Sequence, residues 1–430
     1  MKFGLKTLVA ASIAVALQGA ATAAELRVAI NQSPWLDGFS KTAQAFEKQT
    51  GHKIVLSITP YFGLLEKIRN SLRSSSGQYD LVLMDSIWLA EVYGGGFLTP
   101  ITKVNPGFKL DPAVADFGDS LYWDAKRSLF RQDSGDMLGL PITGNVQLLY
   151  YRKDMFDAAG LKAPRTWDDV RAASDALKGK VEYPYVTAGV RELALNRAVP
   201  YLMSAGGGVF KNPGDGDYTI IFNSKESLEG LKAYMDLVKR SHPNPGANTI
   251  ANVSQLISTG KSAMTTEVAA LWGAINNPNN SIAAGKLAVA PHPIKAGGIA
   301  RSSSTAWVGG IPKNVSSEQQ KLSLEFMTWL LKKENQAALF ENGSVPVRTD
   351  LVGAAKDPHN VLPALSAAFV EAEQVTPVKE GAQIYNVLGL HINRALTGER
   401  TPEQALNEGA KELHELMKAA GYKTAVGKDL

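Results

Sequence analysis

Along the first part of the chain, short apolar runs of strand character alternate with stretches of helical spacing. Leu26-Arg27-Val28-Ala29-Ile30 alternates and predicts a strand, with the polar turn Asn31-Gln32-Ser33-Pro34 after it. Leu36, Phe39, Ala43 and Phe46 then share one face of a predicted helix. Gly51 is placed to end it, because glycine enters the left-handed backbone region at no steric cost. A second strand over 54–58 and a second amphipathic helix carrying Leu64, Leu65, Ile68 and Leu72 follow. Tyr79 to Met84 is nearly all apolar, the pattern of a central strand buried on both faces. The order strand, helix, strand, helix, strand predicts a parallel α/β sheet with right-handed crossovers.

Such sheets bind ligands beyond the carboxyl ends of their strands. Those ends are Ser33 to Asp37, Thr59 to Phe62 and Asp85 to Trp88, and each set carries an aromatic residue. Later helices carry start signals: Thr166-Trp167-Asp168-Asp169, Ser317-Glu318-Gln319-Gln320 and Thr401-Pro402-Glu403-Gln404 each place a hydroxyl three residues before an acid or amide. Pro213-Gly214-Asp215-Gly216-Asp217 before Tyr218 to Phe222 predicts a hairpin turn; its two acids fall short of a calcium loop. Neither internal repeats of solenoid length nor a low-complexity linker is visible.

Lys2 and Lys6, the apolar run Leu8 to Leu17, the break Gln18-Gly19 and the small residues up to Ala24 form a secretory leader over residues 1–24. The chain has no cysteine. That excludes disulfides and the thiol of a lipid anchor, so the expectation is an unanchored protein of the periplasm held together by its core alone. About 400 residues after the leader exceed the ~250 at which single domains usually stop growing, so two lobes are expected. The net charge of +4, lowered by loss of Lys2 and Lys6, lacks the concentrated basic character of a nucleic-acid binder.

Motifs for nucleophilic elbows, phosphate loops, dinucleotide folds and zinc proteases are absent. The six histidines stand singly, so neither metal nor cofactor is expected. A secreted glycoside hydrolase remains an alternative, with Asp85 and Glu267 as its carboxylate pair.

Phe46-Glu47-Lys48-Gln49-Thr50-Gly51, Gly77-Gln78-Tyr79-Asp80-Leu81-Val82 with Asp85 and Trp88, and Gly96-Phe97-Leu98-Thr99-Pro100 resemble successive blocks of the extracellular solute-binding proteins. The similarity is to the sugar-binding type, which serves ATP-binding cassette (ABC) importers. It continues through Gly139-Leu140-Pro141-Ile142, Leu149 to Phe156, Pro164 to Trp167, Ser204 to Gly207, Phe222-Asn223-Ser224, Gly260 to Met264, Trp307 to Lys313 and Gly343 to Arg348.

The resemblance implies a two-lobed α/β fold of the type II periplasmic-binding kind, each lobe a mixed, mainly parallel sheet flanked by helices. Mapped onto this chain, it puts crossings near 141–145, 290–294 and 345–348. One lobe then comprises 25–141 and 294–346, the other 142–293 and 347–430. The implied function is carriage of a carbohydrate, buried between hinged lobes, to inner-membrane permease subunits by a monomer without nucleic-acid partners.

A pyranose offers an apolar C–H face and a hydroxyl edge, so its site needs aromatic planes and polar acceptors and donors. Trp35, Tyr61, Trp88, Trp272 and Trp307 are the expected planes; Asp37, Asp85, Asn145, Glu267 and Arg348 are the expected polar edge. One departure concerns Val268-Ala269-Ala270, where the sugar binders carry Gly-x-Trp; here the tryptophan, Trp272, comes two residues later. Arg348 and the slight basic excess leave a charged sugar derivative or phosphorylated polyol as the alternative ligand.

Overall fold

A computed structural model of the protein describes residues 23–303 and 306–430, so nearly all of the expected leader lies outside the described residues. Two main sheets organise the molecule. The first contains β1 (Glu25–Asn31), β2 (Lys53–Thr59), β3 (Leu81–Asp85), β4 (Gly139–Thr143) and a strand from much later in the chain. The second contains β5 (Gln147–Arg152), β6 (Tyr183–Val186), β7 (Ser262–Val268) and β8 (Leu287–Pro291). The late strand of the first sheet is β9 (Trp307–Gly310), and the orders are β2-β1-β3-β9-β4 and β8-β5-β7-β6.

The expected parallel unit is present: β1 pairs in parallel with both β2 and β3. Elsewhere antiparallel pairing is more prominent than expected. β9 runs antiparallel to β3 and β4, and β5 runs antiparallel to β7 and β8, leaving β6 with β7 as the one parallel pair of the second sheet. The cause is the chain path, since strands that return from the other lobe arrive from the opposite end and need no crossover helix.

Helices cover the sheets: α1 (Leu36–Thr50), α2 (Tyr61–Arg73), α3 (Arg191–Ser204), α4 (Ser317–Leu330), α5 (Gly381–Leu396) and α6 (Pro402–Ala419) are those that matter for the site. α1 buries Phe39, Ala43 and Phe46, the apolar stripe read from sequence, and ends on Gly51 at φ 78°. All five residues of β3 are buried, as its continuous apolar run requires. Capping boxes form at Thr166 with Asp169 and at Thr401 with Gln404. The third expected box does not form at Ser317. Ser316 caps α4 instead, its Oγ accepting from the Gln319 amide at 3.3 Å, because one more residue can then join the first turn. The predicted hairpin turn forms over Pro213–Asp215 with Gly216 in the left-handed region. Its acids are engaged by Arg131 and Asn212 and by Lys211 and Thr219.

The chain leaves the first sheet after Thr143 and enters the second at Gln147. On the return, the Trp167 amide donates to the Ile294 carbonyl and the Ile299 amide to the Ser204 carbonyl, so residues 294–299 still belong with the second sheet's surroundings. Likewise, Ala115 and Thr349 amides donate to the Val347 and Ala113 carbonyls, holding 347–349 against the first lobe. At Gly144 an added Cβ would lie 2.7 Å from the Pro346 carbonyl oxygen, so two crossings touch where only glycine fits.

Candidate functional site

A cleft of about 700 Å³ opens between residues of the two sheets' surroundings. One wall is made from strand ends of the first sheet. β1 delivers Asn31 and the turn Gln32–Pro34, α2 begins after β2 at Tyr61, and β3 ends at Asp85 and leads to Trp88. β9 enters antiparallel, so its first residue, Trp307, pairs directly with Asp85 at the same sheet edge. A strand arriving from the other lobe thus contributes an aromatic ring beside the carboxyl ends of its neighbours.

Three rings form the surface of this wall. Tyr61 and Trp88 lie 5.0 Å apart between centroids, Trp88 and Trp307 5.5 Å apart at 85°, and Tyr61 and Trp307 6.1 Å apart at 78°. Edge-to-face contacts suit aromatic quadrupoles and fix each ring against its neighbour. Asp85 sits among them, 5 % exposed. Its Oδ2 accepts from the Tyr61 hydroxyl at 3.2 Å and its Oδ1 from the Ile87 amide at 3.2 Å. Burial among apolar rings pushes the Asp85 carboxyl up to about 7, against the opposing effect of these hydrogen bonds. The Tyr61 hydroxyl is pushed well up by burial and by the neighbouring carboxylate, which keeps it a donor.

The facing wall sets polar groups among apolar residues such as Val190, Leu193 and Val268. Asn145 lies at the first crossing, its Oδ1 accepting from the Ala270 amide at 3.1 Å. Asn196 and Arg197 come from α3, Tyr385 and Asn386 from α5, and Thr249 and Ile250 from the start of the helix Ile250–Ser258. Asn196 is held on several sides: its Oδ1 accepts from Gln147 Nε2 at 2.8 Å and Arg197 Nη1 at 2.5 Å, and its Nδ2 donates to Ser303 Oγ at 3.0 Å. Arg197 pairs with Glu267 of β7, both almost fully buried. Burial pushes the Glu267 carboxyl up, opposed by the guanidinium.

Five of the ten expected site residues line this cleft together: Tyr61, Asp85, Trp88, Asn145 and Trp307. Five do not. Trp35 is fully buried behind the wall, packing on Phe39 and on Trp307 at centroid distances of 5.7 and 6.0 Å. Asp37 is exposed in the first turn of α1, where it suits the positive end of the helix dipole. Glu267 is buried beneath Arg197, off the lining. Trp272 is 8 % exposed in a stack with Tyr150, rings 6.4 Å apart at 12°, with His359 against it at 5.2 Å. The two-residue displacement of this tryptophan relative to the sugar binders' pattern carries it into the helix Leu271–Ile275 and its packing. Arg348 bridges Asp111 and Asp350 at 2.8 Å each and donates to the Leu331 carbonyl at 3.1 Å, tying one crossing to the first lobe.

Asn31, Gln32, Asn196, Arg197, Tyr385 and Asn386 line the cleft without having been expected there. The first two lie just before the strand-end set that the sheet rule marked, so extending it by two residues would have found them. The other four sit on helices far along the chain, and only tertiary packing brings them here. The Asn31 carboxamide oxygen is buried without a partner, an acceptor facing a lined cavity. The Asp85–Glu267 pair expected of a hydrolase does not flank a common space, since only Asp85 reaches the cleft.

The model of the bacterial extracellular solute-binding protein family matches residues 32–337. A probable amino-acid ABC transporter periplasmic-binding protein of Sinorhizobium fredii is 22% identical over 412 residues, covering 93% of this chain and 90% of that one. The mannitol-binding protein of Pseudomonas aeruginosa is 24% identical over 389 residues, covering 84% of this chain and 85% of that one. Among solved structures, a solute-binding protein of Thermotoga lettingae with bound α-D-tagatose gives a TM-score of 0.77 at 23% identity, covering 92% of this chain and 100% of that one. That structural likeness establishes the two-lobed α/β fold.

Proposed function

Since the chain belongs to the bacterial extracellular solute-binding protein family, we propose that its cleft receives a small carbohydrate or sugar alcohol for an ABC importer. The observation that carries this reading is the pairing of an aromatic wall, Tyr61, Trp88 and Trp307, with an amide-rich wall, Asn145, Asn196 and Asn386. Apolar C–H faces stack on the first and hydroxyls exchange hydrogen bonds with the second. Asp85 and the unpartnered oxygen of Asn31 add acceptors at the strand ends. The mannitol-binding relative and the tagatose-bound neighbour agree with this chemistry. An amino acid, suggested by the name of the Sinorhizobium relative, needs a cation for its carboxylate, and the cleft's arginine is already paired with Glu267.

In this reading the protein works as a monomer in the periplasm after loss of its leader, without cofactor or catalysis. Its partners are the solute and the permease subunits of the inner membrane. Closure of the lobes on the solute gives the permease a distinct shape, because a ligand touching both lobes stabilises the closed form. The phosphorylated or acidic ligand considered from sequence rested on Arg348, which is committed to Asp111 and Asp350 away from the cleft.

The test is a thermal-shift series with D-mannitol, ribitol, D-tagatose and maltose against a set of amino acids. A ligand at a thousand times its dissociation constant stabilises by about 4 kcal/mol, a shift of several degrees. A rise with at least one polyhydroxyl compound is expected. A rise with amino acids alone overturns the proposal.

A further inference from the structure

The ionisable side chains among the described lining residues, tyrosines apart, are Asp85, Glu192 and Arg197. Lysine and histidine are not among them. The guanidinium is thus the cleft's cationic group, and it is not free: it meets Glu267, which is 0 % exposed, while Arg197 itself is 3 % exposed. Arginine stays protonated in proteins, so a buried guanidinium needs its counter-charge beside it. Glu267 is held for that task from its own strand, with Oε1 also accepting from the Val268 amide at 3.0 Å.

Stability alone does not explain this pair. Arg197 Nε and Glu267 Oε2 are both buried without partners. Buried ion pairs with open valences gain little over apolar side chains of similar volume. What the pair does accomplish is electrical: it cancels the positive charge on that wall and leaves the carboxyl groups of Asp85, buried, and Glu192, at the exposed margin, as the other ionisable groups around the solute apart from tyrosines. A carboxylate or phosphate in the cleft would be desolvated beside like charge, with no free cation to receive it.

We propose that Glu267 is a positioning residue that sets the charge class of the solute. By holding Arg197 in a buried pair, it makes the cleft accept uncharged polyhydroxyl compounds and reject the corresponding sugar acids. This rests on the carbohydrate reading above and narrows it. A polyol and its acid share the same hydroxyls and C–H faces, so the charge balance of the cleft is what separates them.

The experiment is calorimetric titration at pH 7.5 with matched probes, D-mannitol against D-mannonate and D-glucose against D-glucuronate. Wild-type protein is expected to favour a neutral member over its acid by a hundredfold or more. Glu267→Gln, with folding checked by circular dichroism, is expected to shrink that ratio at least tenfold through tighter binding of the acid. Arg197→Gln combined with Glu267→Gln removes the released cation and is expected to restore the wild-type ratio. Glu267→Asp, which keeps the charge but draws it back, should move the ratio threefold or more and serves if the glutamine variant does not fold. An unmoved ratio in a folded single variant overturns the proposal, as does a double variant that binds the acid as tightly as Glu267→Gln does. Wild type that binds an acid as well as its neutral partner also overturns it, while leaving the carbohydrate reading intact. Wild type that binds none of the four probes counts against both.

Discussion

Asp85 pits binding chemistry against stability. Burial pushes its carboxyl up to about 7, against 3.8 for a free aspartate, so between those values the folded state holds a proton that the unfolded state has lost. Stability therefore falls as pH rises through this window, and above it the buried charge costs on the order of 4 kcal/mol. Asp85→Asn is expected to raise the melting temperature at pH 8 more than at pH 4.5 and to weaken solute binding at both. Equal effects on melting at the two pH values would show that the carboxyl titrates normally. Trp272 behaves in the opposite way, because its ring is packed on Tyr150 and His359 rather than exposed to the cleft. Trp272→Ala should cost about 3 to 5 kcal/mol of unfolding free energy and leave affinity within twofold. A tenfold loss of affinity with unchanged stability would return Trp272 to the site.

Elements differ in how readable they were. α1, β1 and β3 follow from apolar spacing because each buries its pattern, whereas β2 at the sheet edge leaves Ile58 half exposed. Sequence also marked the strand ends, and with them Tyr61, Asp85 and Trp88. It overlooked Asn196, Arg197, Tyr385 and Asn386, whose helices reach the cleft only through packing of α5 on α3, a contact between segments nearly 200 residues apart. Trp35 and Trp272 were misplaced because a tryptophan near a strand end looks the same whether its ring faces ligand or core. The α5–α3 contact is close: a Cβ at Gly389 would fall 2.3 Å from the Arg191 carbonyl oxygen. Gly389→Ala is therefore expected to push the helices apart and cost about 1 to 3 kcal/mol of stability. Solute affinity should fall with it, since Asn386 and Arg197 ride on these helices. Unchanged melting and affinity would show that this packing does not position the polar wall.

At the level of the whole molecule, the two walls come from the surroundings of different sheets, and the segment that joins those sheets after Thr143 touches a later one where Gly144 meets Pro346. A solute that bridges the walls ties the two sheets together across those segments. The most direct test is a crystal structure with whichever of mannitol, ribitol, tagatose and maltose gives the largest thermal shift. The account predicts density for that compound between Trp88 and Trp307 on one side and Asn196 and Asn386 on the other, with hydroxyls on Asp85 and Asn145. Ligand density outside this cleft, or in it but touching one wall only, would contradict the account.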